Sequence, residues 1–196
     1  MSRLVAAAGL ALAFAFTAGC AKRDAGPPSG ARSGDVEDAG TPVDVEVMAF
    51  LSAARALHHE ANVREGADDL AGAVAALERL VHARRPHEGA RVPEIEEVLA
   101  DTYARMAELR LRTGDVDGAK KDVEDGLAHA PDTTYFRGHL LEVEGVVEEA
   151  RVAALADAGK KDEAEKARQR AIALLRDAVE IQEKVIDTSL GDGGKR

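Results

Sequence analysis

Residues 100–131 read ADTYARMAELRLRTGDVDGAKKDVEDGLAHAP, and their pattern decides the fold class. Ile95, Leu99, Tyr103 and Met106, which lead into and through this stretch, are spaced by four, four and three residues. That is one face of an α-helix. Pro93 stands in its first turn, where a missing N–H leaves no hydrogen bond unmade. Gly114 stops the pattern, because glycine takes the left-handed conformation that ends a helix. Asp115 is placed to cap the next helix by accepting a backbone N–H. Val116, Ala119, Val123 and Leu127 form the second stripe, and Pro131 closes it. Two helical patterns joined by a Gly-Asp turn predict an αα-hairpin.

This hairpin resembles a tetratricopeptide repeat. Tyr103 stands where that family has a bulky aromatic residue, Met106 where it has Leu, and Ala107 where it has a small residue. Gly114 matches the turn glycine, Ala119 and Gly126 the small residues of the second helix, and Pro131 the closing proline. Arg110 and Val123 depart from the family, which usually has Tyr and often Phe there. The match covers one repeat. It implies stacked hairpins that bind a peptide or helix of another protein in a groove. The family's clamp for C-terminal carboxylates needs Lys, Asn and Arg on successive first helices; Asn62 is the sole asparagine, so that clamp is not expected.

The same grammar extends in both directions. Thr41-Pro42 reads as a helix opening, followed by an apolar face of Val47, Phe50, Leu51, Ala54, Leu57 and Ala61. Gly66 breaks it, Asp68 or Asp69 opens the next helix, and Leu70, Val74, Leu77 and Val81 line that one. Residues 84–92 form a polar connection. After Pro131, Asp132 and Thr133 are candidate caps for a helix faced by Phe136, Leu140, Val143, Val147, Ala150 and Ala154. Past Gly159, Ala164, Ala167, Ala171, Leu174, Ala178, Ile181 and Val185 make a heptad seam whose alanines suit close antiparallel packing on the preceding helix. Three hairpins carry a glycine followed five residues later by alanine: Gly66/Ala71, Gly114/Ala119 and Gly159/Ala164, 48 and 45 residues apart. The tetratricopeptide period is about 34. The expectation is an all-α domain over residues 42–188, a short TPR-like solenoid of about three antiparallel hairpins; a plain helical bundle would use the same patterns. The last helix is expected to cap the stack with a polar outer face, with pairing to a partner chain as its other use. Residues 189–196 are expected to fray.

The N-terminus carries a different signal. Met1-Ser2-Arg3 is basic, and the run from Leu4 to Ala18 is apolar but for Gly9 and Thr17, too short for a comfortable span and suited to a signal peptide over residues 1–19. Thr17, Ala18 and Gly19 before Cys20 resemble a bacterial lipobox, although Leu is commonest where Thr17 stands. The resemblance implies cleavage before Cys20 and acylation of its thiol and amine. Each buried CH₂ of the acyl chains contributes about 0.8 kcal/mol of anchoring. Cys20 is the only cysteine, so no disulfide closes within one chain. Residues 20–41, rich in Gly, Pro, Ser and Asp, read as the lipidated residue and a disordered tether. Ala21 and Lys22 follow with no Asp, which resembles the outer-membrane sorting pattern of some Gram-negative bacteria and implies a domain facing the periplasm.

The formal charge is −10, and loss of residues 1–19 removes Arg3 and no acid, making it −11. Such a chain is repelled by nucleic acid. His58-His59-Glu60 suggests a metal cluster, but adjacent helical histidines point about 100° apart. Neither His-Glu-x-x-His, Gly-x-Ser-x-Gly nor a glycine-rich phosphate loop is present. Glu96-Glu97 and Glu148-Glu149 read as solvated acid pairs, and Arg79, Arg84, Arg85 and Arg91 as a solvated basic connection. No catalytic residue, metal site or cofactor is expected. Tyr135 and Phe136 are the aromatic candidates for a binding surface, Tyr103 belonging to the core. The expected role is an envelope lipoprotein that holds another protein as scaffold or adaptor. The alternative is a pilotin-like assembly factor with one permanent partner.

Overall fold

The computed structural model describes residues 44–192. They form six α-helices and, among the described residues, no strand: α1 (Val45–Gly66), α2 (Leu70–Val81), α3 (Pro93–Arg112), α4 (Val116–Leu127), α5 (Tyr135–Asp157) and α6 (Lys161–Asp192). A short 3₁₀ turn, Pro86–Gly89, lies between α2 and α3. The described residues are all-helical, as the apolar periodicity predicts. Each odd-numbered helix packs on the even-numbered one that follows it. In addition, α3 packs on α1 and α2, and α5 on α3 and α4. The contacts of α6 among the helices are with α5 alone.

The stripes read from the sequence form the core. Phe50, Ala54, Leu80, Ile95 and Leu99 make one cluster; Ala61, Ala73, Leu77, Met106 and Leu109 extend it along the first three helices. Ala100, Ala104, Ala107, Val123, Leu140, Val143 and Val147 continue it through α3, α4 and α5. Small residues at the crossings let the helix backbones approach closely.

Several boundaries differ from the sequence expectation. Thr41 and Pro42 lie outside the described residues, and the cap of α1 is Asp44, whose Oδ1 accepts from the N–H of Glu46 and of Val47 at 3.1 Å. Thr134 caps α5, in place of Asp132 or Thr133; its Oγ1 accepts from Arg137 N–H at 3.3 Å. α6 continues through Asp192, past the boundary expected at residue 188. Gly66 is the last helical residue of α1 rather than its breaker. Asp68 takes the left-handed conformation instead, at φ 61°, as Gly114 and Gly159 do at 80° and 75°. Aspartate tolerates that region better than most residues. The first hairpin's register therefore shifts by two: Ala73 is fully buried, whereas Ala71 is exposed. The turn residues Asp68, Gly114 and Gly159 then lie 46 and 45 residues apart, a nearly constant period.

The first two turns share more than that period. Asp69 Oδ1 accepts from Gly72 N–H, and Asp115 Oδ1 from Gly118 N–H, each at 2.9 Å. Arg64 donates to the first cap at 2.9 Å, and Arg110 pairs with the second at 3.4 Å. Arg110, the departure from the family pattern, reaches further. Its Nε donates to Asp122 at 2.7 Å and its Nη2 to Glu78 at 2.7 Å, tying α2, α3 and α4 together. Asp122 is buried, and burial pushes its carboxyl above the ordinary carboxylate range against the pull of Arg110.

The last hairpin is built differently. Glu144 meets Arg170, Gly145 meets Leu175, and Gly138 meets Gln182, so α5 and α6 run antiparallel. A Cβ on Gly145 would lie 2.8 Å from Leu175 Cγ, so the close approach requires glycine there. The buried apolar residues of α6 are all alanines: Ala164, Ala167, Ala171 and Ala178. Opposite those alanines α6 exposes Glu165, Gln169, Arg176, Glu180, Glu183 and Asp187, a polar outer face, and flanking it Ile172, Val179, Ile186 and Leu190 are exposed as well.

Removing Arg110 leaves Asp122 buried without its strongest partner. Arg110→Ala is expected to lower unfolding free energy by about 3 kcal/mol, since breaking one side of a buried pair strands the other. Asp122→Asn, which removes the buried charge itself, is expected to lose less than half of that. Urea denaturation of the three proteins checks the order.

Candidate functional site

The residues that carry the tetratricopeptide resemblance are structural. Met106, Ala107 and Ala119 are buried, and Gly126 is buried beneath Leu140 and Tyr103. Gly114 makes the α3–α4 turn. Pro131 is exposed in the α4–α5 connection. Tyr103 is half-buried and stacks on His129, with ring centroids 5.6 Å apart. Burial raises its hydroxyl's pKa, keeping the phenol neutral. None of these residues lines an open surface together with the others. Thr17, Ala18, Gly19 and Cys20 lie outside the described residues.

What the structure does bring together is a polar floor beneath a recess between the start of α3 and the α4–α5 connection. Glu96, one turn into α3, is buried. His129 Nδ1 approaches its Oε2 at 2.9 Å, Arg85 its Oε1 at 3.4 Å, and Arg91 Nε its Oε2 at 3.7 Å. With its Nδ1–H donated to Glu96, His129 presents Nε2 as an acceptor to Arg85 Nη2 at 3.4 Å. Arg91 Nη2 donates to Ala128 O at 2.7 Å, and Arg137 Nη1 to Ala130 O at 2.9 Å, which satisfies carbonyls freed at the end of α4.

Above this floor lies a cavity of about 200 Å³ bordered by Pro93, Glu97, Pro131, Asp132, Thr134 and Phe136. A second recess of about 380 Å³ shares Glu97, Thr134 and Phe136 with it and continues past Tyr135 to Lys184, Val185 and Thr188 of α6. Phe136 is half-buried against the core, and Tyr135 is exposed, edge-on to Phe136 at 5.4 Å and stacked with His139 at 6.1 Å. The two recesses thus offer an aromatic pair, two prolines and acceptors from Glu97 and Asp132. An extended peptide or a helix end with basic residues fits that chemistry.

One expectation about charge is corrected here. The acid pairs are not solvated faces: one member of each, Glu96 and Glu148, is buried and paired, Glu148 with Arg151 at 2.8 Å, while Glu97 and Glu149 are exposed. Adjacent helical residues point about 100° apart, so one faces inward when the other faces water. The basic cluster is exposed at Arg79, Arg84 and Arg91, as a solvated connection would be, and half-buried at Arg85. Arg79 pairs with Glu60 at 2.9 Å, and Arg85 and Arg91 serve Glu96.

The histidines are accounted for in similar ways. His58 Nε2 donates to Thr102 Oγ1 at 2.9 Å, and that hydroxyl donates to Val98 O at 2.6 Å. His59 beside it is exposed. His82 Nδ1 lies 2.7 Å from Glu78 O, and His87 Nε2 2.6 Å from Asp44, tying the α2–α3 connection to the start of α1. Among the described residues, no three His, Cys, Asp or Glu side chains converge as a metal site. No described helix is long and apolar enough to cross a membrane.

Comparison with protein-family models, curated proteins and solved structures finds no match to this chain.

Burial lowers the pKa of His58 below its ordinary 6.5; Arg105 adds to that effect and Asp101 opposes it. A depressed folded-state pKa means the group supports the fold above its unfolded value and loses that support as pH falls through the folded one. Between about pH 7 and about pH 5, the melting temperature is expected to fall more steeply for the parent protein than for His58→Gln. The glutamine amide can still donate to Thr102 but does not titrate. Parallel thermal melts across that range decide it.

Proposed function

We propose that this chain is a lipid-anchored protein of a bacterial cell envelope whose helical domain holds another protein, as scaffold or adaptor. The observation that carries the binding role is the pair of adjoining recesses that share Phe136, with exposed Tyr135 at their junction. A large aromatic side chain left in water beside a half-buried one, rimmed by polar groups, is the composition of a recognition surface. The acidic charge of the chain favours a basic partner segment and disfavours nucleic acid.

The anchor rests on Cys20 and the apolar run before it. The pattern after Cys20 supports an outer-membrane position, with the domain in the periplasm. The helices form a short solenoid of three TPR-like hairpins: α3 touching both helices before it, and α5 both before it, supports this order. The 45–46-residue period is longer than the tetratricopeptide period of about 34, so these hairpins are stretched relative to that family's.

A photoreactive phenylalanine analogue placed at Tyr135 in intact cells is expected to crosslink one protein partner. The same analogue at Glu124, exposed on α4, is expected to give none. Equal capture from both positions would remove the groove from consideration. Separately, Cys20→Ser is expected to shift the protein from the membrane to the soluble fraction and to abolish incorporation of radiolabelled palmitate.

A further inference from the structure

α6 leaves large apolar residues in water. Its buried residues are small, Ala164, Ala167, Ala171 and Ala178, and Leu174, Ile181 and Val185 are half-buried beside them, while Ile172, Val179, Ile186 and Leu190 are exposed. Val179 is 57 % exposed, Ile186 55 % and Leu190 74 %. Ile172, Leu175, Val179, Gln182 and Ile186 recur at alternating steps of three and four, the seam of a coiled coil, on a face flanking the α5 contact, which Leu175 reaches at Gly145 and Gln182 at Gly138. Beside it, Ile172 and Leu175 join Val152, Ala153 and Ala156 of α5 in an open apolar groove of about 590 Å³. An isolated apolar residue on a surface needs no explanation, but a continuous stripe does.

We infer that this face is the seat of a second copy of the chain, with α6 packed antiparallel on α6 about a two-fold axis between Glu180 and Ile181. In that register Leu175 meets the partner's Ile186, Val179 meets the partner's Gln182, and Ile172 lies beside the partner's Ser189 and Leu190. The charges flanking the stripe select this arrangement. Arg176 and Glu183 sit seven residues apart on one flank, both are exposed, and neither has an ion-pair partner among the described residues. Other charges on the same helix are paired, Glu165 with Arg168, Arg170 with Glu144, and Lys184 with Glu180, while Asp177 and Asp187 share the unpaired state of Arg176 and Glu183 among the described residues. Antiparallel pairing brings each Arg176 to the partner's Glu183, twice by symmetry. A parallel pair would set Arg176 against the partner's Ala171 and leave both charges alone.

Two further features fit a second copy. Lys161–Asp192 holds six basic and eight acidic residues, so α6 carries only −2 of the chain's −10, and little like-charge repulsion falls at the seam. The stripe from Ile172 to Leu190 runs roughly 28 Å along the helix at 1.5 Å per residue, enough for several interlocking layers. The α5–α6 groove widens the seam toward a four-helix packing of the two last hairpins.

The test uses the full-length chain expressed in cells, oxidised and run on non-reducing gels. L175C/I186C is expected to give a covalent homodimer. L175C alone, I186C alone and the parent chain with its native Cys20 are expected to give none. Single reversals R176E and E183R, introduced into L175C/I186C, are expected to cut the dimer yield about fivefold, and R176E/E183R together to restore it. Both positions are exposed, so the reversals leave the fold intact. Absence of the L175C/I186C dimer overturns the proposal, as does equal crosslinking by I186C alone, which marks a parallel pair. Failure of the double reversal to restore the yield overturns the register. Labelling of the stripe by a photoactivatable phosphatidylethanolamine in place of the disulfide assigns this face to the membrane instead.

Discussion

Arg110 holds three elements in one geometry. Its guanidinium reaches Glu78 on α2, Asp115 at the turn and Asp122 on α4 while its own Cα belongs to α3. The protein has few large side chains to do this by packing: aromatic residues make up 3 % of it, and it has no tryptophan. Where an aromatic residue would fill the space between helices, a planar cation with five donors spans it. The same substitution of charge for bulk recurs at Glu96, which gathers Arg85, Arg91 and His129, and at Glu65, which meets Arg105 and Arg112. Such clusters are directional, so they fix register between helices that alanine-rich faces alone would let slide.

The local half of this structure was legible in the sequence, and the long-range half was not. Ile95, Leu99 and Met106 announced their helix because periodicity depends on neighbours within a few residues. Asp69 and Asp115 announced their caps for the same reason. Asp68 did not announce its left-handed turn: Gly66, two residues earlier, was the stronger signal, yet the helix runs through it. Glu96 could not be read as buried, because its hydrogen-bonding partners Arg85 and His129 lie 11 and 33 residues away. Of the candidate site, Tyr135 and Phe136 were visible as aromatic residues in an aromatic-poor chain. The recesses they border depend on where α6 ends relative to α3, which no short window encodes.

The sixth helix shows both halves at once. Its alanine seam was legible and packs on α5 as the heptad spacing implies. Its second stripe has the same spacing, displaced by about a third of a turn, and a helix with two apolar stripes does not declare which one its own chain will cover. The glycines of α5 bear on it. Gly138 receives the side chains of Ile181 and Gln182, and Gly145 that of Leu175. Ile172, Val179 and Ile186 are left exposed beside them.

That arrangement has a consequence for motion. α6 is fastened to the rest of the molecule through α5 alone, by side chains that bury little area each. Its release would leave the core of the first five helices whole. The helix is therefore a separate opening unit whose amide protons exchange by local detachment while those of α3 wait for global unfolding. The longest of the described helices thus depends on a single neighbour for its place in the fold.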